Sequence, residues 1–126
     1  MAHLLKDKQR KIRRHAYFRG RAAETLASTY LRCKGYHIEA RGYRKPFGEI
    51  DIIARRNNLL VAVEVKSRRQ MEAALYSVSA RQRHRINKAL EAFVMERPKF
   101  RAFSLRMDVL LVTSFLKLPR HIENAW

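Results

Sequence analysis

Only 11 of the 126 residues are acidic, and three of them, Glu49, Asp51 and Glu64, fall in two β-branched runs, GEIDIIA (48–54) and LLVAVEVK (59–66). Arg55-Arg56-Asn57-Asn58 joins the runs. Asparagine tolerates the left-handed backbone that tight hairpin turns demand. With Asn57 and Asn58 as the turn, Asp51 stands directly opposite Glu64, and Glu49 opposite Lys66; a four-residue loop from Arg56 to Leu59 gives the same register. Strands alternate faces with period two, so Glu49, Asp51 and Ile53 share a face with Ala62, Glu64 and Lys66. Ile50, Ile52, Val61, Val63 and Val65 take the other, apolar face. Opposed residues have Cβ atoms about 4.5–5.5 Å apart, and like charges there are destabilising. A hard divalent cation between the two carboxylates relieves that repulsion, and Mg²⁺ is commonly held by one or two carboxylates plus water and substrate phosphate. The competing reading is a solvated sheet face, with Glu49 and Lys66 as an ordinary cross-strand ion pair. Helices covering both faces argue against it, because a buried acid pair without cation or proton is costly.

The remaining elements have to position that hairpin. Ala23, Leu26, Ala27, Tyr30 and Leu31 recur at helical spacing and predict a helix over Ala16 to Lys34, with Gly35 as its C-cap glycine. Glu24 lies on the flank of its apolar face, either toward the sheet or out to an arginine. Cys33 is read as packing beside that face. Tyr36 to Arg41 reads as a strand and Gly42 to Phe47, containing Pro46, as a loop. Ser67 to Val78 reads as irregular. Ser79 is an N-cap for a helix reaching about Glu96, with Ile86, Ala89, Leu90, Phe93 and Val94 inward and Pro98 closing it. Residues 103–112 form another strand, and His121 to Trp126 a last short element. The order αβββαβ(β) predicts an α/β domain, a mixed sheet flanked by helices.

Composition says which partner such a domain meets. Lys and Arg total 28 against 11 acids, a formal charge of +17. Like charges repel across a small surface, so the imbalance serves a polyanion, nucleic acid first and an anionic membrane second. A single cysteine excludes an intramolecular disulfide and a cysteine-based zinc site. No apolar run approaches the ~18 residues of a bilayer span, and the start shows no secretory signal, so a cytoplasmic protein is expected. Residues 1–15 form a basic arm, flexible or partly helical, and 16–126 a single domain. His3, His15, His37, His84 and His121 show no metal-ligand clustering. Asp108 either pairs with an arginine or buttresses the acid cluster.

Asp51, twelve intervening residues, then Glu64-Val65-Lys66 resembles the PD-(D/E)xK nuclease signature. The wider set is more specific. Glu24 in a first helix, GEIDII (48–53), VEVKSR (63–68), RMDV (106–109) and HIENAW (121–126) resemble the YraN (UPF0102) family of small bacterial proteins over about residues 16–126. That family is similar to the restriction-endonuclease-like fold, in particular to Holliday-junction resolvases. The resemblance implies a nuclease-type site: Asp51 and Glu64 as metal ligands, Lys66 as catalytic lysine, and Glu24 as the first-helix acid that joins them, with Mg²⁺ or Mn²⁺ as cofactor. Glu49 matches an acid of less certain role. Two positions depart from the family pattern. Gly42 stands where Asn is usual, and Gln82 where Lys is frequent. Gln82 is either a polar contact to nucleic acid or, with Ser79, a capping box.

The implied reaction is metal-dependent phosphodiester hydrolysis. Arg41, Arg44, Lys45, Arg68, Arg69, Arg81, Gln82, Arg83 and Arg85 are expected to line the nucleic-acid surface, and His84 stands among them. Phosphate contacts carry affinity rather than base specificity, so binding should be structure-selective, with DNA ahead of RNA as partner. A homodimer would suit a two-fold substrate. The alternative is a non-catalytic RNA- or ribosome-binding module on a nuclease-like fold. Retention of Asp51, Glu64 and Lys66 together speaks against it, since a binder has no need of the triad. A membrane-surface role finds only Leu4, Leu5 and Ile12 in the arm, too thin an apolar face.

Overall fold

The computed structural model describes residues 2–67 and 78–126, with backbone alone for 11–19. Helix α1 (Ala2–Cys33) precedes strands β1 (His37–Lys45), β2 (Gly48–Arg56) and β3 (Leu59–Ser67). Helix α2 (Ala80–Glu96) follows, then a 3₁₀ turn (Pro98–Phe100), β4 (Ser104–Val112) and β5 (Arg120–Ile122). The strands lie in chain order in one five-stranded sheet. Neighbours are antiparallel except β3 and β4, which are parallel and joined through α2. This is the expected mixed α/β sheet in the expected order. Among the described residues no helix is long and apolar enough to cross a membrane.

Local chemistry sets the ends of the elements. Gly35, at φ +92°, closes α1: the Tyr36 N–H donates to the Leu31 carbonyl and the Gly35 N–H to that of Arg32, a Schellman cap. Asn57, at φ +54°, makes the two-residue turn of the β2–β3 hairpin. The ladder pairs Ile52 with Val63 and Arg56 with Leu59, the register the two asparagines imply. Ser79 Oγ accepts the Gln82 N–H at 3.1 Å and starts α2, and Pro98 lies just past its end.

Each face of the sheet carries one helix. Ala23, Ala27 and Leu31 of α1 pack on Ile52, Ala54, Val61, Val63 and Leu110. Ile86, Ala89, Leu90 and Phe93 of α2 pack on Ile53, Leu60, Ala62 and Leu111. Both faces are therefore covered, and Asp51 and Glu64 are shielded rather than on an open sheet, whereas Glu49 stays exposed.

Four expectations are corrected. The helix expected from Ala16 begins at Ala2, because its Lys-, Arg- and Leu-rich start has good helix propensity without an apolar stripe to announce it. Gly42 to Lys45 is strand, not loop, and the turn shrinks to Pro46-Phe47. Cys33 is exposed, since it falls about 200° around the helix from buried Leu31. Ile50 joins the α2-side cluster, not the face of Ile52, so the strict alternation of β2 fails at the residue between them, Asp51. The irregular stretch expected from Ser67 and the candidate residues Arg68 and Arg69 lie largely or wholly outside the described residues, although Ser67 itself ends β3.

Helix α2 reaches the hairpin because Gly48 opens β2. A Cβ there would stand 2.0 Å from the Arg85 carbonyl oxygen and 3.3 Å from the Ala89 Cβ. Gly48→Ala is therefore expected to push α2 off the sheet and cost about 2 kcal/mol or more, seen as a lower urea midpoint.

Candidate active site

Both ladders that flank Asp51 are interrupted beside it. On the β1 side, Arg41 pairs with Ile52 and Tyr43 with Ile50, so Gly42 lies opposite Asp51. Gly42 has φ +61°, a conformation that disfavours residues with a Cβ, asparagine being the usual exception. On the β3 side, backbone pairing stops at Ile52–Val63. Beyond it the Val65 N–H donates to Asp51 Oδ2 at 2.8 Å, the side chain taking the place of a ladder carbonyl. The two strands part here, and the gap holds the carboxyls.

Asp51 and Glu64 meet in that gap, close enough for each to shift the other's ionisation. Glu64 Oε1 also accepts from Gln82 Nε2 at 2.9 Å and faces Lys66 Nζ at 3.4 Å. The Glu64 side chain is 11% exposed and that of Lys66 19%. Asp51, Glu64, Glu49, Gln82, Arg85 and Ile86 line a cleft of about 260 Å³.

The electrostatics follow from burial and like charge. Burial first, then the Glu64 charge and a smaller push from Glu24, drive the Asp51 carboxyl up to about 8 against the pull of the Val65 N–H. Burial also raises Glu64, opposed by the Lys66 charge and by hydrogen bonds from Asp51, Lys66 and Gln82. Burial and mutual repulsion thus oppose ionising both carboxyls together. A hard divalent cation fits the same requirement: two carboxylate donors, partly desolvated, beside a cleft with room for water and a phosphate oxygen. The residues that would hold it are Asp51 and Glu64.

The other expected residues distribute as follows. Glu24 takes both alternatives at once: its Oε1 faces Arg41 Nε at 3.4 Å, yet its charge reaches Asp51. Among the described residues no three His, Cys, Asp or Glu side chains gather into a metal cage. Arg41 is turned to α1, bonding Thr25 Oγ1 at 2.9 Å. Glu49 pairs with Arg44 at 3.3 Å, not with Lys66. Lys45 pairs with Glu96 near the far end of α2 and does not line the cleft. Arg83 is anchored on the Val78 carbonyl at 2.8 Å, while Arg81 and His84 are exposed. Among the described basic candidates, Arg85 is the one on the cleft wall.

Gln82 corrects the capping-box reading. Its backbone is capped by Ser79, but its amide turns to Glu64 instead of back to the cap. Two further contributors carried no clear signal. The Val65 N–H is a backbone group, and Asn87 accepts from the Trp126 indole at 3.2 Å, tying the chain's end to α2. Asp108 does pair with an arginine. Arg106 holds both its oxygens at 2.8 Å, with His121 at 2.7 Å and the Asn124 N–H at 2.9 Å. Burial pushes that carboxyl up, but these bonds outweigh it and hold Asp108 below the usual range.

The model of the uncharacterised protein family UPF0102 matches residues 23–112, which include Glu24, Asp51, Glu64, Lys66 and Gln82. A UPF0102 protein of Nitrobacter winogradskyi is 45% identical over 111 residues, 88% of this chain and 93% of its own. One from Rhodopseudomonas palustris is 47% identical over 88% of this chain and 82% of its own. One from Paramagnetospirillum magneticum is 44% identical over 86% of each.

Asp51 is raised from 3.8 to about 8, so the folded protein keeps a proton that the unfolded chain has released across that interval. Stability that is full below about pH 4 is therefore lost as pH rises toward 8. Asp51→Asn keeps an acceptor for the Val65 N–H and cannot ionise. Thermal unfolding in EDTA should show a flatter pH dependence for it and a Tm roughly 5 °C above the unsubstituted protein at pH 8.

Proposed function

The chain belongs to the uncharacterised protein family UPF0102, and we propose that it is a divalent-metal-dependent nuclease acting on the phosphodiester backbone of nucleic acid. The observation that carries this reading is the largely buried pair of Asp51 and Glu64 on the wall of one cleft, with the Lys66 ammonium 3.4 Å from Glu64. A fold with no use for the pair gains nothing by burying two like charges, whereas Mg²⁺ or Mn²⁺ held by Asp51 and Glu64 would offset the repulsion between them. When bound, the cation supplies Lewis-acid polarisation of a phosphoryl oxygen and acidifies a water.

The chain's own residues do the rest. The Val65 N–H and Gln82 amide fix the orientations of Asp51 and Glu64. Lys66, held against Glu64 and largely shielded from solvent, offers a point charge to the oxygens that grow negative as the phosphorus adds a fifth ligand. Arg85 on the wall and exposed Arg44 at the rim take flanking phosphates. A charge of +17 supplies long-range attraction and makes binding salt-sensitive. Backbone contacts dominate, so structure outweighs sequence in substrate choice, and DNA is the expected partner.

The test is incubation with branched, duplex and single-stranded substrates in Mn²⁺ or EDTA. Cleavage is expected in Mn²⁺ only, falling at least about 10²-fold in both Asp51→Asn and Lys66→Ala while salt-sensitive binding persists. Binding without cleavage, indifferent to both substitutions, would contradict the nuclease and favour a binding module.

A further inference from the structure

The connection between β4 and β5 holds three large apolar side chains in water. Phe115 is 56% exposed, Leu116 96% and Leu118 82%. The turn that presents them is hydrogen-bonded: Ser114 Oγ accepts the Leu116 N–H at 3.1 Å, and the Ser114 carbonyl accepts the Lys117 N–H at 3.4 Å. Adjacent bulky apolar groups displayed on an ordered turn mark a contact surface.

Its place relates it to the cleft. Strands β3 and β4 run parallel, with Lys66 beside Leu111 and Ser67 beside Val112. The turn begins at Ser114, two residues past Val112, at the end of the sheet where β3 carries Lys66. With strands about 4.8 Å apart and about 3.3 Å per residue, its tip lies within roughly 20 Å of the Lys66 backbone. Lys117 and Arg120 flank it, on a chain of charge +17.

We propose that Phe115 and Leu116 form an apolar wedge that enters nucleic acid where base stacking is interrupted, while the basic surface holds the flanking phosphates. This rests on the nuclease reading and adds the substrate feature that the site would favour. Phe and Leu are side chains that wedge between base steps, and unstacking is cheapest where a base has already lost a neighbour. A polyanionic partner matches the charge around the turn. Among the described residues these three side chains fall well short of the ~800 Å² per partner of a stable dimer, and they make no broad apolar face of the kind a membrane requires.

The test uses the full chain in EDTA, so that binding is read without cleavage. Two DNA probes of equal sequence serve, an intact duplex and one interrupted by a single-nucleotide gap, each with 2-aminopurine at the equivalent position beside the gap. Binding should raise 2-aminopurine fluorescence on the gapped probe alone and favour that probe by about tenfold, the scale of one stacking contact. Phe115→Ala combined with Leu116→Ala should lose both effects, and Phe115→Trp should keep them. Undiminished fluorescence in the double variant would overturn the wedge. So would a shift of a wild-type dimer to monomer, or lost co-sedimentation with phosphatidylglycerol vesicles alongside unchanged gap preference. Equal binding to both probes without a signal sinks the wedge alone, whereas no binding to either sinks the nuclease reading as well.

Discussion

Two like charges forced together at a fork between strands govern this molecule. Asp51 and Glu64 face each other where the β2–β3 ladder has ended and where Gly42 disturbs the ladder on the other side. Intact pairing would occupy the Val65 N–H with a carbonyl and leave the acids as ordinary cross-strand neighbours. With the ladder open, Asp51 bonds that N–H itself, and burial beside Glu64 raises its carboxyl well above the usual range. Such a pair lowers stability unless a proton or a cation occupies it. The apolar layers on both faces of the sheet provide the offsetting stability that lets the strain persist.

Much of the remaining architecture serves to keep α2 over that fork. Gly48 lets its backbone approach β2, and the Ser79 cap sets where its first turn begins, which brings the Gln82 amide to Glu64. The chain's end fastens the helix from the other direction. The Asn124 N–H is held by Asp108, the Ala125 N–H donates to the Met107 carbonyl at 2.7 Å, and Trp126 reaches Asn87. The buried Asp108–Arg106–His121 cluster is thus an anchor for the tail, with its charges matched, in contrast to the unmatched pair at the fork.

What was legible in the sequence was local or periodic. Asn57-Asn58 set the hairpin register, Gly35 and Ser79 marked helix ends, and alternation placed most of the core. From the register alone the facing acids could be named. What escaped depends on backbone behaviour without a residue signature. The alternation fails at Asp51 because both ladders are disturbed there, which sends Ile50 to the α2 side. Gly42 reads equally well as a loop glycine or as a left-handed position within a strand. Gln82 satisfied a capping pattern while its side chain had a stronger acceptor in Glu64, a choice only tertiary contact decides. The arm's helical start lacks the apolar stripe that periodicity detects.

The decisive question is whether Asp51 and Glu64 together hold a divalent cation. Anomalous diffraction from a crystal soaked in Mn²⁺ reads this directly. One peak is predicted within about 2.5 Å of both an Asp51 and a Glu64 oxygen. Density that leaves the two carboxyls bonded to each other and places manganese elsewhere would contradict it.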